Sequence, residues 1–543
     1  MKRIFSYQTR GNIAEAVRSA SRLEDSLLLG TALADRFLSR YYRSGAGELT
    51  DWLQRYADQP EAAAIHDLLL TRLPRGVSPP PPPESHAIAW NAGPVTLPVP
   101  EDIDPPRNDL VRNPVLDRTV LERSRRGGSA SALRLIAATR GLSPAYAAQL
   151  RAEVAQILFI RNEDADALVV AQQALDTAGG PDKPGLAFYI GGLAAWRLDR
   201  IGLARSLFED GAQATGTSPR LHAASAFWAS RANRALHDAG GTVKWLLAAA
   251  EERLTFHGLL ARRILRMDTG ILDSGEVIGQ ADVDAVAASP RGLRAFALLQ
   301  IGQTGRAEAE FRGLWATAGA DAVFQRSILL VVSAAGLSDC EASMAALLQS
   351  RDGGHHDELR FPMPRLRPAG GFSIDPPLVY ALARQESNFD TGALSPSGAR
   401  GLMQIMPSTA RYIAGDSMSE PDRLNEPASN LEIGQRYVAY LARQDGIDND
   451  LLRILASYNA GPGHFGQWGA GMQDRDDPLL FIEAIPVPET RAFVEHVLVY
   501  SWIYAARLRL PASSLEALAA GEFPRFTQRP AERKMTVTAA GIH

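Results

Sequence analysis

GLAAWRLDRIGLARSLFEDGA, residues 192–212, reads as two short helices around a turn, and FALLQIGQTGRAEAEFRGLW, residues 296–315, repeats its arithmetic. Ala204 and Phe208 in the first correspond to Ala307 and Phe311 in the second. Each pair follows a glycine, Gly202 or Gly305, that the spacing assigns to the turn. A small residue lets two helices approach closely, and an aromatic four positions on fills the groove beside it. That is the pattern of helical hairpins stacked into a solenoid. Working outward, helical periodicity runs from 117 to 350, broken by turn-rich TAGGPDKPG and TGTSPR. The same spacing recurs in 1–72, at Leu23, Leu27, Ala34, Leu38, Leu53 and Ala57.

The expected fold class is therefore all-α. An N-terminal superhelical solenoid of hairpins, tetratricopeptide-like in its repeat, precedes a second, mostly helical domain. The pattern divides the chain into an N-terminal helical segment (1–72), a Pro-rich connector (73–116), the solenoid (117–350), a linker (351–371) and a C-terminal domain (372–510). Pro79 to Pro83 is a run with no internal hydrogen bonds, which suits a stiff surface connector. Trp196, Phe227 and Trp228 are expected in the solenoid core. The tail 522–543 lacks periodicity and is expected to be disordered.

Composition sets the outer limits. At 543 residues the chain exceeds one ordinary core, and 46% hydrophobic with 22% charged residues suits helical globular domains. Lys and Arg total 57 against 61 Asp and Glu, a formal charge of -4, so no basic field points to nucleic acid or an anionic membrane. Cys340 is the only cysteine, which excludes an internal disulfide and reads as a small helical core residue. His355, His356, Asp357 and Glu358 share the linker, but the histidines lack the i, i+4 spacing of a metal-binding helix. No metal or other cofactor is expected there. No apolar run reaches the length of a secretory signal or a transmembrane segment.

Past the linker the sequence becomes chemically specific. Asp375-Pro376-Pro377 is a helix start with Asp as N-cap, and the helix carries Glu386 near its end in LVYALARQESNF. SPSGARGLMQIMP (395–407) follows, a turn-rich stretch in which Gly401 lets the backbone approach a ligand and Gln404 offers both a donor and an acceptor. Met403 and Met406 add an adaptable apolar surface, with Met403 the better candidate for the core. In YNAGPGHFGQW (458–468) the glycines and Pro462 disfavour continuing the helix, so Tyr458 and Asn459 are expected where the chain turns into a loop that also holds His464. In IPVPETRAFVEHVLVY (485–500), Glu489 follows Pro488 in a first helical turn, where the dipole favours a carboxylate. Arg491 and Tyr500 read as structural.

These four motifs, in this order, resemble the soluble lytic murein transglycosylase family, whose catalytic domain is similar to goose-type lysozyme. The likeness covers about 372–508. It implies a C-terminal lysozyme-like catalytic domain acting on peptidoglycan glycan strands, with Glu386 as catalytic residue and Ser395, Gly401, Gln404, Met406, Tyr458, Asn459 and Glu489 binding substrate. It also implies that the β-1,4 bond between N-acetylmuramic acid and N-acetylglucosamine is cleaved without water, leaving 1,6-anhydromuramoyl ends and needing no cofactor. Glycosidases generally use two carboxylates, and the sequence places no second catalytic acid beside Glu386. An apolar pocket built by Met406 and Tyr458 is expected to raise its pKa. A lysozyme-like hydrolase on the same fold and a non-catalytic peptidoglycan-binding scaffold share these residues and remain open. The substrate implies the periplasm, and the solenoid could recruit cell-envelope proteins.

Overall fold

The computed structural model describes residues 1–23, 25–74, 76–83, 99–104, 110–178, 183–271, 276–352, 354, 356–415 and 421–529. Among them the fold is all-α, with extended pairing limited to isolated bridges such as Leu394 with Arg400 and Arg400 with Ile405. The chain divides into two compact units, each discontinuous in sequence. One joins Met1–Val95 to Leu272–Pro364, and the other joins Thr96–Ile271 to Arg365–His543.

In the first unit, helical hairpins such as Pro290–Gln300 with Thr304–Ala318 pack around fully buried Ala307, Phe311 and Trp315. Arg294 is buried there and stays charged because Glu310 accepts from its Nε at 2.5 Å and Asp58 from an Nη at 2.8 Å. Cys340 is fully buried in the same core. The segment read as a solvated linker is not solvated over its first half. Asp357–Arg360 is a helical turn, and Asp357, Arg360 and Phe361 are buried. Phe361 is the physical reason, since one large apolar side chain anchors a stretch too short to show periodicity. His356 faces Glu276 at 3.6 Å, and His355 lies outside the described residues.

In the second unit, the solenoid part carries helices α1 (Gly185–Arg197), α2 (Pro219–Ala235) and α3 (Phe256–Ile264). Between α1 and α2, Ala204 and Phe208 are fully buried, as Ala307 and Phe311 are in the other repeat. A Cβ on Gly192 would lie 2.5 Å from the Phe208 ring, so the glycine is what admits the aromatic. Trp228 stacks on Phe208 at 5.8 Å and meets Trp196 edge-on at 5.5 Å. The turn glycines are placed differently from the sequence expectation. Gly202 and Gly305 lie inside the second helices, and the left-handed turn positions are Asp199 (φ 58°) and Gly302 (φ 75°).

The rest of this unit is the C-terminal domain. Its helices are α4 (Pro376–Ser387), α5 (Pro407–Ala414), α6 (Pro427–Leu441), α7 (Leu451–Ala460), α8 (Pro462–Trp468), α9 (Pro478–Ala484), α10 (Pro488–Leu508) and α11 (Ser513–Ala520). Helix α10 is the spine. Its buried face, including Val494, Val497, Leu498 and Tyr504, packs along α4 and α7. Trp502 of α10 stacks on Phe256 of α3 at 5.4 Å and donates to Ser514 of α11.

Two stretches, one read as a stiff surface connector and one as a disordered tail, make defined contacts here. In the Pro-rich connector, Asp102 accepts from His496 of α10 at 2.7 Å and pairs with Arg220 of α2 at 3.0 Å. In the tail, Phe526 is buried, Leu451 donates to the Pro524 carbonyl and Arg529 to that of Ser373. Residues 522–529 are therefore strapped to the domain, and 530–543 lie outside the described residues. Among the described residues no helix is long and apolar enough to cross a membrane, and no cluster of His, Cys, Asp or Glu could hold a metal ion.

Candidate active site

Helix α4 is held at both ends. Asp375 occupies its N-cap, but the carboxylate makes no capping hydrogen bond, contrary to the sequence expectation. Gln435 of α6 secures the entry instead. Its Oε1 accepts from Ser373 and Ile374, and its Nε2 donates to the Gly371 carbonyl. Asp375 is partly buried beside Arg529, and burial raises its pKa. At the far end Asn388 (φ 52°) and Phe389 (φ 68°) are both left-handed, so the helix stops abruptly two residues after Glu386. Phe389 donates back to the Ala383 carbonyl and packs against Tyr380 and Tyr504. Ser387 is buried and its Oγ faces the carbonyls of Ala383 at 3.0 Å and Leu402 at 2.8 Å, tying the helix end to the next motif.

Glu386 is half-buried, and its carboxyl makes no hydrogen bond to the described residues. Desolvation, and secondly the Glu489 carboxylate, push its pKa up to about 8. The buried Tyr458 phenol is pushed well above its usual range by burial, then by Glu386 and by Tyr437. Glu386, Tyr458 and Glu489, from three helices, thus share one electrostatic environment. The second carboxylate, Glu489, was not evident beside Glu386 in the sequence; it sits exposed in the first turn of α10.

The 395–407 motif forms a tight wall rather than a free loop. Asn430 of α6, fully buried, accepts from Met403 N and donates to the carbonyls of Arg400 and Leu424, each at 2.8 Å. Gly401 (φ 71°) is needed for this clamp. A Cβ there would lie 2.5 Å from both Asn430 Nδ2 and the Leu424 carbonyl oxygen, so the glycine is what lets the wall close on Asn430. Gln404 is held left-handed (φ 43°), with Nε2 donating to the carbonyls of Gly401 at 3.0 Å and Ala393 at 3.2 Å. Its Oε1 is buried with no hydrogen-bond partner among the described residues, an acceptor left over for a bound molecule. Ser395 closes the preceding turn, its Oγ accepting from Ala399 N at 2.9 Å. Met403 is fully buried, and Met406 is half-buried at the N-cap of α5.

Tyr458 and Asn459 lie in the last turn of α7, and the segment after them is another helix, not a loop. Gly461 (φ 82°) breaks α7, and Pro462 starts α8, which carries His464. Tyr458 stacks on Phe493 of α10 at 6.1 Å and donates to the Met403 carbonyl at 2.8 Å. Asn459 Oδ1 accepts from Thr490 Oγ1 at 2.6 Å, fixing the end of α7 to the residue beside Glu489. Arg491 donates to the Glu483 carbonyl, and Tyr500 stacks on His496, so both act within the packing.

A search against family models matches residues 366–481 to the Transglycosylase SLT domain. Those residues of this chain carry a Transglycosylase SLT domain. The chain is 39% identical over 157 residues to the soluble lytic murein transglycosylase of Escherichia coli K12, an alignment covering 27% of this chain and 24% of that protein. It is 40% identical over 158 residues to the enzyme of Salmonella typhimurium, with the same coverage. The likeness in sequence thus spans about a quarter of these relatives' length. Among solved structures, the 70 kDa soluble lytic transglycosylase of E. coli covers 97% of this chain and 98% of its own at a TM-score of 0.54 and 18% identity. An inactive mutant of the lytic transglycosylase Slt from Pseudomonas aeruginosa covers 96% and 98% at 0.56 and 17%. These matches establish a shared fold beyond the SLT domain.

Asn430, Gln435 and Thr490, which hold the motifs in register, were not found from sequence. The first two are buried amides on a helix, PASNLEIGQRYVAYL, that also carries Ser429, Glu432 and Arg436, so nothing in the sequence singles them out.

Proposed function

We propose that this protein is a peptidoglycan lytic transglycosylase that cleaves between N-acetylmuramic acid and N-acetylglucosamine and leaves 1,6-anhydromuramoyl ends. The observation that carries the proposal is Glu386 within an SLT domain, half-buried, without a hydrogen bond to the described residues and with its pKa raised to about 8. Such a carboxyl is protonated at neutral pH and can act first as an acid.

Glu386 donates its proton to the glycosidic oxygen as the bond to the muramoyl anomeric carbon breaks. The substrate's own acetamido oxygen steadies the developing cation, as in substrate-assisted glycosidases. Glu386, now ionised, takes the proton from the muramoyl 6-hydroxyl, whose oxygen bonds to the anomeric carbon. The ring closes, the carboxyl is protonated again and no water is consumed. Gln404 Oε1 supplies an acceptor to the sugar, while Ser395, Met406, Tyr458 and Asn459 shape the groove around it. The exposed Glu489 lines that groove and, through its charge, keeps Glu386 protonated. Gly401 serves the site through the clamp on its wall. The substrate places the activity in the periplasm.

Glu489 also favours a second reading, a hydrolase in which two carboxylates act on water and sugar. Product analysis on purified glycan strands separates the two. Anhydromuramoyl ends are expected, and products one water heavier, with reducing muramic acid, overturn the transglycosylase in favour of the hydrolase.

A further inference from the structure

In the second unit, helices Pro114–Arg125 and Ser129–Ala138 form a hairpin with two unlike faces. Leu116, Val120, Ala132 and Ile136 are buried where the pair packs on helix Pro144–Ile160. The outer face is basic. Residues 110–142 hold seven arginines against two acids, Asp117 and Glu122. Arg112 pairs with Asp117 at 3.0 Å and with Glu153 of the supporting helix at 2.8 Å. The other six, Arg118, Arg123, Arg125, Arg126, Arg134 and Arg140, are exposed and form no ion pair among the described residues.

Helical spacing brings them to one side. Val115, Arg118, Glu122, Arg125 and Arg126 fall within about a third of the circumference of the first helix. Arg123 lies at its edge towards the second helix, where an Nη donates to Ser131 Oγ at 3.4 Å, and Arg134 is one turn beyond Ser131. A helix C-terminus favours cations, which accounts for Arg123 and Arg125 in the last turn but not for Arg118, Arg134 or Arg140. Beside the arginines, Val111 is 81% exposed and Val115 73%. The formal charge of -4 conceals this patch because it sums over the whole chain.

We infer that this face is a docking surface for an anionic phospholipid bilayer. The inference goes beyond the proposed function and does not depend on the chemistry at Glu386. Guanidinium groups match phosphate in a bidentate manner, and each basic side chain close to an anionic bilayer tightens binding about fivefold. The exposed valines favour a bilayer over a soluble polyanion. A membrane interface takes up aliphatic side chains next to basic ones, whereas a polyanion leaves them in water.

The test is sedimentation of the full chain with vesicles of phosphatidylcholine alone and with vesicles in which phosphatidylglycerol replaces part of it. Binding only to the anionic vesicles is expected, and added salt weakens it by screening. Arg118→Gln, Arg125→Gln and Arg126→Gln together weaken it about a hundredfold, while Lys at the same three positions keeps it within a few-fold of the parent. Val115→Ser weakens it severalfold. These side chains are exposed, so the variants are expected to melt with the parent. No binding to anionic vesicles, equal binding to both kinds, or binding that ignores salt overturns the inference, and none of these outcomes needs a variant. A folded glutamine variant that binds like the parent overturns it too. If the glutamine variant loses its hold on purified glycan strands and keeps its hold on vesicles, the face belongs to the cell wall and the inference falls.

Discussion

The Tyr458 hydroxyl donates to the carbonyl oxygen of Met403 at 2.8 Å, joining the end of one helix to a wall 55 residues earlier in the chain. Both residues are buried, so this bond sets the distance between the tyrosine beside Glu386 and the segment that presents Gln404. Tyr458→Phe keeps the stacking on Phe493 and Tyr437 but strands a buried carbonyl, at a cost of about 1–3 kcal/mol. A lower melting temperature is expected, with fragment release from glycan strands reduced at least tenfold. Unchanged turnover in Tyr458→Phe would show that the hydroxyl does not position the site.

Glu386→Gln removes the titrating proton while nearly preserving shape. Loss of turnover by about 10² to 10⁴-fold is expected, the range for a general acid–base group. Stability should move the other way. The folded pKa of about 8 lies above the ordinary 4.5, so the carboxyl's contribution is fully present below pH 4.5 and is lost as pH rises through 8. The variant lacks this loss, and its melting temperature is expected to exceed the parent's most clearly at pH 8 and above. A melting series from pH 4 to 9 on both proteins checks the sign.

The Glu489 carboxylate is the second cause of that raised pKa, after desolvation. In the acid role, activity falls as pH climbs through the pKa of Glu386, giving an alkaline limb near 8 in the profile of kcat/KM. Glu489→Gln removes a like charge, so the Glu386 proton leaves more easily and the limb moves to lower pH. A limb that stays in place would mean that Glu489 lines the groove without tuning the acid.

Much of the fold was legible because packing leaves a local pattern. Ala204 with Phe208 and Ala307 with Phe311 announce the hairpins, and all four are fully buried. What escaped was held by isolated contacts. Phe361 and Phe526 each anchor a segment too short to show periodicity, and Asp102 and Asp104 dock the Pro-rich connector through hydrogen bonds to His496 and Ser218 N. In the site, the four motifs announce themselves as sequence, but the groups that hold them together do not. Asn430 grips backbone atoms at 400, 403 and 424, and a backbone carbonyl carries no sequence signature. Gly401 was read from its motif as an approach to a ligand, and the fold adds that its missing Cβ makes room for Asn430.

Asn430→Ala is expected to unfasten the wall. It leaves Met403 N and the Leu424 carbonyl without their partner, while the Arg400 carbonyl keeps Ile405 N as a donor, and each buried orphan costs about 1–3 kcal/mol. Asn430→Asp keeps the acceptor for Met403 N and loses the donor. It is expected to fall between the parent and Asn430→Ala in both melting temperature and turnover. Equal loss in the two variants would place the whole effect on the donor side of the amide.

The last prediction concerns the packing of α9 against the solenoid. Glu483 is buried, and Tyr189 of α1 donates to its Oε1 at 2.5 Å. Around it stand Glu495 and Arg491 of α10, Arg220 of α2, and His257 of α3, whose Nε2 is 3.9 Å from the same oxygen. Burial, then the Glu495 charge, push the Glu483 pKa up to about 7 against the pull of Arg491, Tyr189 and Arg220. Its contribution to stability is fully present below pH 4.5 and is lost as pH rises through 7. In a Glu386→Gln background, which silences the other raised carboxyl, the melting temperature should therefore fall by a few degrees between pH 5 and pH 8, taking about 2–4 °C per kcal/mol. Adding Glu483→Gln preserves an acceptor for Tyr189 and removes the titration, so most of that fall should disappear. If the double variant keeps the parent's slope, Glu483 is already ionised at pH 5 and the buried cluster is held by Arg220 and Arg491 as an ion pair network.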